Sequence, residues 1–207
     1  MNIYAPIGLT GGMASGKTTV SRLFRAWGAF VADADDISRQ ALDPGMSCYY
    51  ETVAAFGRGI LRPDGTVDRK KVANIVFSDP DALSVLNGII HPYVLETIRA
   101  DSLRAFAEAP DRLIVWDVPL LFETGYDVEV AKTVVVTARQ SLRVQRIVDR
   151  DGSTKAAALR RIRAQMPDRE KVRRADIVIR NNGSLAELEL RTREVFDELL
   201  ETLDRRP

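Results

Sequence analysis

"GLTGGMASGKTT", residues 8–19, is the stretch on which the reading of the whole chain turns. Ahead of it and overlapping its start, residues 3–9, "IYAPIGL", form a short apolar run suited to a buried strand, with Pro6 as a break near its start. Behind it, Val20, Leu23, Phe24 and Trp27 recur at helical spacing and Gly28 ends the pattern. Between the two lies Gly11-x-x-x-x-Gly16-Lys17-Thr18, the full Walker A pattern in the strand–loop–helix setting that it requires.

The residue types follow from what a phosphate needs. Gly11, Gly12 and Gly16 let backbone amides turn inward, and the helix that starts near Gly16 adds the positive end of its dipole. Met13, Ala14 and Ser15 complete the cradle, Lys17 reaches the outer phosphates, and Thr18, followed by Thr19, offers a hydroxyl to Mg2+. A nucleoside triphosphate is the expected ligand.

Three further segments narrow the class. No Asn-Lys-x-Asp motif for guanine and no Leu-Ser-Gly-Gly signature occurs, which argues against GTPases and ATP-binding-cassette proteins. "FVADADD", residues 30–36, predicts a second strand whose alternation puts Asp33 and Asp35 on one face at its carboxyl end, where open α/β sheets bind ligands. Such carboxylates accept a hydroxyl proton or help to hold Mg2+; alternatively, Asp33, Asp35 or Asp36 caps the next helix. A third strand over 112–123 ends its apolar run in Asp117, either a Walker B carboxylate for Mg2+ or a cap before Pro119. A fourth follows at 132–138, and strands alternating with helices predict a parallel sheet covered on both faces.

Charge is concentrated late in the chain. The total, thirty basic residues against twenty-nine acidic, offers no general surface for nucleic acid or membrane. Between Arg139 and Arg174, however, twelve basic residues face four acidic ones. Arg139, Arg143, Arg146 and Arg150 fall on one helical stripe, which is either solvated or brings arginines over the phosphate loop as a lid. No aromatic residues are interleaved to stack bases, so RNA is the weaker explanation. The chain closes with a strand at "ADIVIRNNGS" and an acidic helix whose apolar face is Leu185, Leu188, Phe196, Leu199 and Leu203. One cysteine, Cys48, rules out an internal disulfide and suits packing in a reducing compartment. The opening residues show no signal-peptide pattern and no stretch reaches membrane-spanning length, so the expected setting is the cytoplasm.

Seven segments together, "GLTGGMASGKTTV", "ADAD", "GILRPDGTVDR", "LNGIIHP", "VPLLFE", "RIVDRDG" and "ADIVIRNNGS", resemble the dephospho-coenzyme A kinase family in order and interval, from Ile7 to about Leu188. The resemblance implies ATP and Mg2+ as cofactors and phosphorylation of the ribose 3′-hydroxyl of a small-molecule substrate, dephospho-coenzyme A. It implies a three-layer α/β P-loop core (1–36, 111–138 and 175–207), a helical acceptor domain (37–110) and a helical lid (139–174). Asp35 is the acceptor-facing carboxylate on this reading, Arg146 and Arg150 match the family's arginines, and Arg143 stands where glutamine is frequent. Asp68, Arg69, Asn87, His91 and Pro92 fall on family positions in the acceptor segment, and Arg39, beside the paired aspartates, either reaches the acceptor's pyrophosphate or lies solvated. His91 is equally a packed helix-start residue before Pro92. Ala14 replaces a usual glycine, acceptable if its φ stays negative. Another small-molecule kinase, or a nucleotide-dependent switch, remains open on the residues alone.

Overall fold

The computed structural model describes residues 4–204. Five strands form one sheet: β1 (Ile7–Gly11), β2 (Phe30–Asp33), β3 (Ile114–Asp117), β4 (Lys132–Thr137) and β5 (Ile177–Arg180), in the order β2-β3-β1-β4-β5. β1 pairs in parallel with β3 (Leu9 opposite Asp117) and with β4 (Gly11 opposite Val136), and β4 pairs in parallel with β5. Nine helices accompany them among the described residues: α1 (Lys17–Ala26), α2 (Ala34–Gln40), α3 (Ser47–Phe56), α4 (Arg69–Ser78), α5 (Pro80–Glu108), α6 (Gln140–Asp151), α7 (Lys155–Arg163), α8 (Asp168–Arg174) and α9 (Leu185–Asp204).

The chain divides into two compact units, one running up to Ala32 and again from Asp101, the other spanning Asp33–Ala100. In the first, alternate strand residues build the core: Ile7 and Leu9, Leu113 and Val115, Val134 and Val136, and Ile179 meet Val20 and Phe24 of α1 and Leu188, Phe196 and Leu199 of α9. That period of two is what a pleated strand imposes. On the other sheet face, Trp116 donates its indole N–H to Ser102 Oγ at 2.8 Å, satisfying the one polar atom of a buried ring. Leu121 packs so closely over Gly8 that a side chain there would strike it.

Connections leaving β1 run toward β2 at one edge, and those leaving β4 run toward β5 at the other. The crevice beyond the carboxyl ends of β1 and β4 is therefore the switch point at which such sheets bind ligands. The second unit is mostly helical, with a 3-10 turn at Arg58–Ile60 and a bridge between Leu61 and Val67.

Several expectations change. The strand that begins "FVAD" stops at Asp33, because that carboxylate accepts the amides of Asp35 (2.9 Å) and Asp36 (3.1 Å) and starts α2. Asp33 and Asp35 thus do not share a strand face; Asp33 is the N-cap and Asp35 lies in the first helical turn. Pro92 lies inside α5, so His91 does not begin a helix. On α9, Leu185 is 67% exposed, and Thr192 takes part in the buried face, donating its hydroxyl to the Leu188 carbonyl at 2.6 Å. The side chain of Leu203 lies outside the described residues. No helix among the described residues is long and apolar enough to cross a membrane.

Candidate active site

The loop from Gly11 to Gly16 leaves the carboxyl end of β1 and enters α1. Ser15 returns its amide to the Gly12 carbonyl at 3.0 Å, and Gly16, the N-cap of α1, sits at φ 104°, where glycine is the favoured residue. A side chain on Gly16 would also collide with the amide of Asn181, which donates to the Ser15 carbonyl at 2.8 Å. Because α1 begins at Lys17, directly after the loop, the positive end of its dipole faces the loop. Thr19 returns its amide to the Gly16 carbonyl at 2.9 Å. Ser15 Oγ is buried with no hydrogen-bond partner among the described residues. An inward hydroxyl left without an acceptor, in a loop closed to larger side chains, fits a phosphate group.

Ala14 departs from expectation. Its φ is 60°, the only positive φ outside glycine among the described residues. A Cβ in the left-handed region costs about 1–2 kcal/mol. The loop turns its amides by such an alternation of hand, and Ala14 adopts it because its neighbours hold it there.

Lys17 Nζ lies against the carboxylate of Asp117, which is 2% exposed at the end of β3. Thr18, at the start of α1, is exposed. Lys17 and Asp117 thus meet at the carboxyl end of the sheet, with Thr18 next to Lys17 at the start of α1.

The arginine stripe is neither uniformly solvated nor a single open face. Arg139 is the N-cap of α6, and its amide is taken by Asn182 Oδ1 at 2.8 Å. Arg143 is only 3% exposed; its Nε donates to the Met13 carbonyl at 2.7 Å and its guanidinium pairs with Asp168. Arg146 donates to the carbonyls of Ala14 (3.2 Å) and Asn181 (3.2 Å). Arg150 is exposed and pairs at 2.7 Å with Asp151, which Arg161 of α7 also meets at 2.5 Å. These two guanidinium hydrogen bonds hold the Asp151 carboxyl well below the usual carboxylate range. Met13 and Ala14 also pack on a small apolar cluster of Val144, Ile147, Ala158 and Ile162.

In the helical unit, Arg69 donates to the Arg39 carbonyl at 2.5 Å and approaches Asp43 at 3.5 Å, so Arg39 and Arg69 are neighbours. The Arg39 guanidinium pairs with Asp36. Asp68 caps α4, accepting the amides of Lys70 (3.0 Å) and Lys71 (3.2 Å). Asn87 and His91 lie one turn apart on α5, both half-buried, and burial lowers the His91 pKa. Cys48 is buried, donates to the Ile89 carbonyl at 3.4 Å, and has its thiol pKa pushed up by burial.

Sequence reading missed several side chains around the loop: Arg143 as a buried contact, Gln165, Asp168 and Asn181. It also missed Lys171, 0% exposed, whose Nζ pairs with Glu123 at 2.8 Å and donates to the Pro119 carbonyl at 3.3 Å. Asn181 carried the one available signal, a polar residue directly after the strand "IVIR".

A parallel sheet with this loop at its switch point, and a lysine and a strand-end carboxylate beside it, defines a P-loop nucleotide-binding protein of the kinase type. The sequence model of the dephospho-CoA kinase family matches residues 5–187, and the chain belongs to that family. Its members are ATP-dependent enzymes of coenzyme A synthesis. A dephospho-CoA kinase of Geobacillus kaustophilus is 44% identical over 181 residues, covering 87% of this chain and 90% of the relative. One from Arabidopsis thaliana is 43% identical, covering 93% and 83%. The solved dephospho-CoA kinase of Campylobacter jejuni is 25% identical with a TM-score of 0.72, covering 95% of this chain and 98% of its own. A Bacteroides thetaiotaomicron shikimate kinase, 15% identical with a TM-score of 0.55 over 95% of this chain and 98% of its own, shares the fold.

Proposed function

We propose that the chain transfers the γ-phosphate of ATP to the ribose 3′-hydroxyl of dephospho-coenzyme A, with the loop of residues 11–19 holding the triphosphate and Asp35 receiving the hydroxyl proton. The observation that carries this reading is the paired Lys17 and Asp117 beside a loop with Gly16 at φ 104° and the Ser15 hydroxyl, which has no partner among the described residues. Lys17 moves its charge from Asp117 onto the outer phosphates when they arrive. The hydroxyl oxygen forms its bond to the γ-phosphorus as the bond to the β-phosphate oxygen breaks, the proton passes to Asp35, and ADP leaves.

Thr18 and Asp117 are the residues that would hold Mg2+. Among the described residues no three His, Cys, Asp or Glu side chains gather as a metal cage, so most ligands would come from the nucleotide and water. When bound, the ion neutralises charge on the phosphate oxygens.

Arg146 is assigned to the transferring phosphoryl group and Arg150 to the nucleotide, within a lid of residues 139–174. Residues 37–110 are assigned to the acceptor, and residues 1–36, 111–138 and 175–207 to the nucleotide core. Arg39 and Arg69, adjacent through the hydrogen bond between them, suit a pyrophosphate; Asn87 and His91 suit the acceptor's polar groups; Asp68 sets the start of the helix that carries Arg69. A buried lone thiol agrees with a cytoplasmic setting.

Asp35→Asn and Asp33→Asn test the proton step. Asparagine caps a helix as well as aspartate does, so both variants keep the start of α2. Asp35→Asn lowers kcat strongly while ATP still binds; Asp33 is assigned to the water ligands of Mg2+, so Asp33→Asn acts on the Mg2+ dependence of the rate. Near-normal turnover in Asp35→Asn with loss in Asp33→Asn reverses the two roles, and activity in both places the base elsewhere.

A further inference from the structure

The apex of the phosphate loop is fixed from outside along three successive peptides. Gln165 Oε1 accepts the Met13 amide at 2.8 Å. Arg143 Nε donates to the Met13 carbonyl at 2.7 Å. Arg146 Nη1 donates to the Ala14 carbonyl at 3.2 Å. Arg143 is itself anchored by Asp168, whose second oxygen accepts the Thr137 hydroxyl at 2.8 Å at the end of β4.

This arrangement encloses the one residue in the loop that resists its own conformation. Ala14 returns to a negative φ by flipping the Met13–Ala14 peptide, which changes φ of Ala14 and ψ of Met13 together. That flip swings the Met13 carbonyl away from Arg143 and breaks a charge-assisted hydrogen bond in a buried setting. A side chain on Gly12 would strike both Arg143 and Asp168, so the pair also sits directly against the loop's backbone.

We propose that Arg143, backed by Asp168, is a positioning residue that locks Ala14 in its left-handed conformation and so keeps the phosphate cradle in shape before ATP arrives. The inference rests on the phosphate-binding reading of the loop. Because Asp168 neutralises the guanidinium and Arg143 is spent on a backbone carbonyl, its action is geometric and falls on binding, unlike an arginine that meets the transferring phosphoryl group.

The test is a cycle between Arg143 and Ala14, read as ATP affinity by titration calorimetry and as kcat and KM with dephospho-coenzyme A. Arg143→Gln raises the Kd and KM for ATP about tenfold and leaves kcat within about twofold of the unaltered enzyme. Glycine occupies the left-handed region without penalty, so the same substitution made in Ala14→Gly costs about threefold or less. Asp168→Asn, which preserves shape and leaves Arg143 in place, weakens ATP binding by a smaller factor and serves if Arg143→Gln does not fold. Unchanged ATP affinity in both Arg143→Gln and Asp168→Asn overturns the proposal. An equal loss with alanine or glycine at position 14, or a fall in kcat at constant KM, also overturns it. Failure of the unaltered chain to bind ATP would instead remove the reading of the loop itself, and the positioning role with it.

Discussion

Around the phosphate loop, Arg143, Lys171 and Asp117 are buried and each meets an oppositely charged group: Asp168, Glu123 and Lys17. In the helical unit Asp33, Asp68 and Asp79 stand at or near the surface, and each turns its carboxylate onto the first amides of its own helix. The first pattern stakes stability on geometry, since removing one partner of a buried pair costs about 3–5 kcal/mol. The second ties each charge to local structure, at about 1 kcal/mol per cap. Substitutions near the loop should therefore act on function through shape and charge together, whereas those at the caps act first on stability.

The largest effect belongs to Lys17. Lys17→Ala nearly abolishes turnover, because the charge that meets the outer phosphates is gone, while leaving Asp117 buried without its cation. Single-turnover kinetics with ATP and dephospho-coenzyme A measure it, and near-normal rates would remove the loop from the mechanism. Next comes Arg146→Ala, expected to lower kcat and kcat/KM together by about a hundredfold or more if the guanidinium leaves the loop carbonyls for the transition state. A rise in KM for ATP at constant kcat would make Arg146 a second loop holder like Arg143, and the two arginines would cease to differ.

Smaller effects separate the caps. Asp79→Ala, which removes only the hydrogen bonds to Asp81 and Ala82, lowers stability by about 1 kcal/mol without changing steady-state kinetics. Asp68→Ala loses a similar amount and in addition raises KM for the acceptor, since the cap sets the start of the helix that carries Arg69. Denaturant unfolding beside kinetics distinguishes them; an unchanged acceptor KM in Asp68→Ala leaves that residue a cap alone.

What the sequence makes legible is what short-range chemistry decides. The Walker pattern, the strand before it, Lys17 and the strand-end Asp117 are each written within a few residues. The fold class follows from strands alternating with helices. The switch from strand to helix at Asp33 was also local, but two rules competed there, and the capping carboxylate prevailed over alternation. By contrast, the hold on the loop is made by residues 130 positions away for Arg143 and 166 for Asn181. In sequence Arg143 reads as one of many arginines, and Lys171, within "REKVRR", as a solvated charge. The left-handed Ala14 was illegible for the same reason: alanine alone favours a negative φ, and the contacts that overrule it come from α6.

Whether the phosphate loop serves transfer to one particular acceptor is decided by an ADP-release assay with ATP and a panel of acceptors, with the product's phosphate located by NMR. The panel holds dephospho-coenzyme A, nucleoside monophosphates, shikimate and water alone. Rapid ADP release is expected with dephospho-coenzyme A only, with a product phosphorylated at the ribose 3′ position. Equal turnover with a nucleoside monophosphate or shikimate, or hydrolysis indifferent to any acceptor, would contradict it.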